Sequence, residues 1–198
     1  SRDVFTADAE GVRFGMASIR NVGKNVVDGI VTAREAKGSF TSFQDFLDKV
    51  PIEVCNKRTM QSLIKAGAFD GFGHPRRALL ARSDDAVDAV IDLKRNEAHG
   101  QYDLFAALGG GDGGASSFTV EIPAIAEWDR KEKLALEREM LGLYVSDHPL
   151  RGMERSLPRF QDVEIGRIKE EPRKFDNQRI TIAGLVTGLE VRLNKQGL

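Results

Sequence analysis

Two short stretches, Asn21-Val22-Gly23-Lys24-Asn25 and Lys65-Ala66-Gly67-Ala68, each lie between two runs of helical periodicity, and this repeated unit limits the possible folds more than any other feature of the chain. Before the first turn, Met16, Ile19 and Val22 recur at three-residue spacing. That predicts a short helix ending at Asn21-Val22-Gly23, with Gly23 supplying the left-handed or otherwise tight backbone. After the turn, Val26, Val27, Ile30 and Val31 predict a helix to about Ala36, stopped by Lys37-Gly38. Ser42 is placed to cap a helix whose apolar face is Phe43, Phe46, Leu47 and Val50 and which Pro51 ends. Asn56 caps the next, from about Lys57 to Ala66, on Met60, Leu63 and Ile64. Gly67, Gly71 and Gly73 then mark a tight turn, Pro75 suits the first turn of a further helix, and Leu79, Leu80, Val87, Val90 and Ile91 carry it to about Ala98.

Helix, glycine-bearing hairpin, helix, twice over, is a tandem helix-hairpin-helix arrangement. A hairpin that leads into a helix start points unpaired backbone N–H groups outward, and glycine lets a phosphate come close to them. The residues expected to meet a nucleic-acid backbone are therefore Val22, Gly23, Lys24 and Asn25 at the first hairpin and Lys65, Gly67 and Ala68 at the second. Arg76 and Arg77, with Arg82 beyond, bring cations to the start of the following helix. Charge supports this: residues 11 to 82 hold 12 Lys and Arg against 6 Asp and Glu, whereas the rest of the chain holds 17 against 24. The competing explanation is that the glycines only let antiparallel helices pack.

The second half is less regular. Gln101-Tyr102-Asp103-Leu104-Phe105 lies between the long helix and the run Gly109-Gly110-Gly111-Asp112-Gly113-Gly114. An amide, an acid and two adjacent large apolar side chains on a tether suit capture by another protein's pocket; the alternative is that Leu104 and Phe105 fold back onto the helix. Ala115 to Ile125 is irregular around Pro123, and a charged helix is expected from about Ala126. It places Leu134, Leu136, Glu137, Met140, Leu141 and Leu143 on one broad side and Asp129 to Lys133 on a solvated face. Asp147 and His148 precede Pro149 with no nucleophile or third ligand beside them, which reads as a turn rather than a catalytic pair. From Gln178 alternation at Ile180, Ile182 and Gly184, continuing through Val186, Leu189, Val191 and Leu193, predicts two short strands before Asn194-Lys195-Gln196-Gly197.

The fold class expected is mainly α, with residues 1–100 as the tandem helix-hairpin-helix region, 101–122 as peptide and linker, 123–177 as a helical return segment and 178–198 as an incomplete β portion. No apolar run is long enough to span a bilayer and Ser1 to Glu10 is no leader, so neither membrane insertion nor secretion is expected. The single cysteine, Cys55, forms no intrachain disulfide; a reduced, cytoplasmic compartment and a buried thiol are expected. Neither a metal site nor a cofactor site is expected.

Five separated segments, IRNVGKNVVDGIVTARE, NKRTMQSLIKAGAFDGFG, GQYDLF, LEREMLGLYVSDHPL and ITIAGLVTGLEVRLNKQG, closely resemble, in this order, the alpha subunits of bacterial DNA polymerase III, the C-family replicative polymerases. The resemblance implies that the tandem hairpins hold newly made duplex DNA without sequence preference. It also implies that QYDLF binds the sliding clamp, the beta subunit, with Gln101, Leu104 and Phe105 as anchors and Tyr102 and Asp103 at permissive places. The stretch from Gln178 resembles the first strands of the family's OB-fold, and the remaining holoenzyme subunits are implied partners. Nothing in the chain matches the palm segment that carries the metal-binding aspartates, so no catalytic or metal residue is carried over and polymerisation by this piece is not expected. The alternative from another class is a helix-hairpin-helix repair enzyme, a nuclease or glycosylase, for which Lys24, Asp28 and Asp70 are the groups near the hairpins; a third is a scaffold that does not bind DNA.

Overall fold

A computed structural model of the chain describes residues 4–8, 11–98 and 119–190. The chain divides into two units, Ser1–Val145 and Ser146–Leu198. The first opens with a two-stranded antiparallel sheet, β1 (Thr6–Asp8) and β2 (Gly11–Arg13), in the register Thr6 to Arg13, Ala7 to Val12 and Asp8 to Gly11. Among the described residues five helices follow: α1 (Lys24–Lys37), α2 (Phe43–Lys49), α3 (Lys57–Lys65), α4 (Arg76–Ala98) and α5 (Arg130–Leu141).

Two caps act as expected. The Ser42 side chain accepts from the N–H of Asp45, and that of Asn56 from the N–H of Thr59, each satisfying one of the orphan donors of a helix start. The apolar faces converge on one core in which Val27, Leu47, Val54, Met60, Ile64 and Val87 are fully buried. Cys55 is buried there too; burial, opposed by Lys94, pushes its thiol pKa up, as suits a structural residue.

Three expectations need correction. Met16, Ile19 and Val22 do not build a helix; only a single 3-10 turn, Met16–Ser18, forms. Three apolar residues ending at a turn give one hydrogen bond for several fixed dihedrals, too little to propagate. The charged helix starts at Arg130 rather than near Ala126, and Asp129, expected on a solvated face, is its N-cap, accepting from the N–H of Glu132. The strands expected from Gln178 form no ladder among the described residues 178–190, and their expected continuation through Val191 and Leu193 lies outside the described residues.

The second unit holds α6 (Ile165–Glu170) between 3-10 turns at Leu157–Arg159 and Pro172–Phe175. Asp162 and Thr181 close the stretch around α6: the Asp162 N–H donates to the Thr181 carbonyl (2.9 Å) and the Thr181 N–H to Asp162 Oδ2 (2.8 Å). His148 lies in a turn, its N–H donating to Asp147 Oδ1 (2.8 Å) and its Nδ1 accepting from the N–H of Leu150 (3.2 Å). No described helix is long and apolar enough to cross a membrane.

Candidate nucleic-acid interface

The first hairpin is held from behind. Asn21, not Gly23, takes the left-handed backbone (φ 65°), as asparagine tolerates better than other non-glycine residues. Its Nδ2 donates to Ser62 Oγ at 3.0 Å, and its carbonyl accepts from Thr59 Oγ1 at 3.4 Å, fastening the turn to α3. The Arg20 N–H donates to the Met140 carbonyl of α5 at 2.9 Å. Val22 is core: its side chain is buried and its N–H is spent on the Ile19 carbonyl, so it offers a ligand no donor.

What faces outward is the start of α1. Gly23 is its N-cap, in an extended conformation (φ −77°, ψ 160°) with no side-chain cap. Neither that φ nor packing asks for glycine, since a Cβ built on Gly23 meets nothing within 4 Å. Gly23, Lys24 and Asn25 are exposed, and the N–H groups of Lys24 and Asn25 meet no acceptor among the described residues. A positive helix end with two open donors and an adjacent ammonium is an arrangement that accepts an oxyanion.

The second hairpin is built on the same plan and is closed. Gly67 (φ 84°) is the left-handed residue after α3: its N–H donates to the Ile64 carbonyl (3.0 Å) and that of Ala68 to the Leu63 carbonyl (2.9 Å), a complete Schellman motif. Both donors are thereby used inside the fold. Phe69 then turns into the core, edge-on to Phe43 and Phe46 with ring centroids 5.3 and 4.9 Å away.

Arg76, expected to reach a phosphate, is 3% exposed and occupied. Its Nε and Nη2 form a fork on Asp70 Oδ1 and Oδ2 (2.8 and 2.6 Å), Nη1 donates to the Lys65 carbonyl (3.0 Å), and Nη2 also reaches Glu137 Oε1 (3.3 Å). Burial works against the charge, but Asp70 and Glu137 outweigh it and hold the guanidinium above its ordinary pKa. The same fork explains Gly67 a second time, because a Cβ there would run into the Arg76 guanidinium, with Cζ only 2.6 Å away. Arg76 is thus the internal lock of the hairpin. Arg77 is exposed and Lys65 half-buried.

The N–H groups at the start of α4 are also taken. Those of Arg76 and Arg77 donate to Glu127 Oε2 and Oε1 at 3.1 and 3.2 Å, the Trp128 N–H donates to Oε1, and Lys133 Nζ lies 3.3 Å from Oε2. Burial raises the Glu127 pKa, yet the N–H donors of Arg77, Arg76 and Trp128, with Lys133, prevail and hold it below the usual carboxylate value.

The sequence assigns no role to Glu127, and none to the side chains of Glu137 and Asn21. Only Glu137 left a signal, a carboxylate on the apolar side of a helix. Of the groups near the hairpins weighed for repair chemistry, Asp70 is engaged by Arg76, while Lys24 and Asp28 are exposed on α1. Gln101, Tyr102, Asp103, Leu104 and Phe105 lie outside the described residues.

A family model for the helix-hairpin-helix motif matches residues 1–79. Among curated proteins the chain is 48% identical over 197 residues to the DNA polymerase III subunit alpha of Saccharopolyspora erythraea and 46% identical over 195 residues to that of Mycobacterium leprae. It is 34% identical over 194 residues to that of Vibrio cholerae. Each match covers 98% of this chain and 16% of the relative's length. On those matches the chain falls within the DNA polymerase III alpha-subunit family, as a stretch that corresponds to 16% of the length of those subunits.

Proposed function

We propose that this chain is a non-catalytic, duplex-gripping part of a replicative DNA polymerase alpha subunit, that it meets the phosphate backbone through the first hairpin, and that Gln101 to Phe105 tether it to the sliding clamp. One observation carries the duplex reading: α1 begins at a glycine that neither its backbone angles nor its neighbours require, followed by two open N–H donors and Lys24. Open space at Gly23 lets a phosphate approach where any side chain would intrude. Contacts of this type carry no base preference, which suits an enzyme that copies every sequence, and they weaken as salt rises. Arg77 and Lys65 add charge beside the closed second hairpin; Arg76, Val22, Gly67 and Ala68 build the surface rather than touch the ligand.

Gly23→Asp separates binding from packing. A carboxylate at the N-cap fills the orphan donors and stabilises α1 by about 0.5–1 kcal/mol, while it repels phosphate. The melting temperature should rise while affinity for a mixed-sequence 20-bp duplex at low salt falls. A stabilised Gly23→Asp protein with unchanged duplex affinity would mean that the hairpin only packs helices.

A further inference from the structure

The second hairpin carries its own anion. The carboxylate of Glu127 sits across the start of α4, a 23-residue helix, each oxygen taking one of two consecutive N–H groups and one of them facing the Lys133 ammonium. Glu127 comes from 51 residues further along the chain than Arg76, on the strap that leads into α5. That strap is anchored independently: Val120 and Ile122 pack on the core, and the Val120 N–H donates to Gln44 Oε1 at 2.8 Å. The Glu127 side chain is 28% exposed, so the seat that it fills opens to solvent, beside exposed Arg77. Two adjacent N–H donors with a helix dipole behind them and a cation on each side would suit a phosphate oxygen pair as well as a carboxylate. Only one anion fits between the same two donors.

We infer that Glu127 is an autoinhibitory contact: an internal phosphate mimic that keeps the second hairpin out of contact with the duplex backbone, leaving the first hairpin as the principal grip. This rests on the duplex-binding reading above and adds an asymmetry to it. Two motifs that look equivalent in sequence differ in that one presents open donors and the other is plugged by its own chain. A grip through one helix end holds the backbone loosely, which suits a protein that must let duplex slide past while a second contact keeps it nearby.

The test compares Glu127→Ala with Glu121→Ala, which removes the same charge from an exposed position of the same strap that forms no hydrogen bond or ion pair with the described residues. Affinity for a mixed-sequence 20-bp duplex is measured across a salt series. Glu127→Ala should bind about three- to ten-fold more tightly at low salt, with a slope against log salt steeper by about 0.9, one extra phosphate. Glu121→Ala should gain less and keep the wild-type slope. Adding Arg77→Ala to Glu127→Ala should reverse part of the gain. Equal gains in the two single variants, or no gain in a folded Glu127→Ala protein, would overturn the inference while leaving the first-hairpin reading intact. Absence of duplex binding in the wild type and in Glu127→Ala alike would overturn both. Should Glu127→Ala fail to fold, amide exchange at Arg76 and Arg77 in Glu127→Gln decides the question: duplex must slow it there and not in the wild type, and no such difference refutes the plug.

Discussion

At the residue scale the most consequential side chain is Arg76, because it joins the second hairpin, the start of α4 and α5 through Lys65, Asp70 and Glu137. Glu137 is 1% exposed, and its other oxygen accepts from the Val145 N–H at 2.8 Å. Removing Arg76 takes from that buried carboxylate the cation that balances it, and loss of one partner from a buried pair costs far more than the pair contributes. Arg76→Ala should therefore destabilise the first unit by about 3–5 kcal/mol in urea titration. Arg76→Ala with Glu137→Leu should recover a large part of that loss, since the buried charge that Arg76 balanced is gone. If the double variant is no more stable than Arg76→Ala, the triad is not the source of the cost. Gly67→Ala acts on the same lock. It forces a Cβ into a left-handed backbone and against the guanidinium, and should cost about 1–3 kcal/mol.

At the scale of elements, the strap meets the start of α4 through the Glu127 carboxylate. The folded-state pKa of Glu127 is held below the usual carboxylate value. The stabilisation it supplies is fully present above its unfolded-state pKa and is lost as pH falls through the lower folded-state value. Wild-type protein should therefore exceed Glu127→Gln in melting temperature at pH 6, and the gap should close towards pH 3. A gap that stays constant over that range would show that the ionised carboxylate does not hold the strap. Helix caps belong to this scale as well. Ser42→Ala and Asn56→Ala should each cost about 1 kcal/mol, measured by the same urea titration, because each leaves an N–H at a helix start without its acceptor.

At the scale of the whole molecule, the proposed grip and tether work through effective concentration. A modest backbone contact and a modest peptide contact to a ring already threaded on DNA become one durable association once the second step is intramolecular. Replacing Gln101, Leu104 and Phe105 by alanine should abolish clamp binding in a direct titration and leave affinity for free duplex unchanged. Clamp affinity that survives the triple substitution would remove the tether from the mechanism.

Whatever is local in this fold can be read along the chain. Periodicity set α1 to α4, Ser42 and Asn56 marked helix starts, and the glycine runs located both hairpins, because such signals act within a few residues and need no partner from elsewhere. The sequence also marked the chain's family through five ordered segments. Which hairpin is open depends on contacts between distant parts of the chain. Glu127 reaches α4 across 51 residues and Glu137 reaches Arg76 across 61, and no spacing rule connects positions so far apart. The same limit explains Asn21, whose left-handed turn is held by hydrogen bonds to α3, 38 and 41 residues away. Two glycines in like motifs therefore read alike along the chain. Gly67 is required by its backbone angle and by the arginine packed against it, whereas nothing in the fold requires Gly23, which is left exposed at the start of α1.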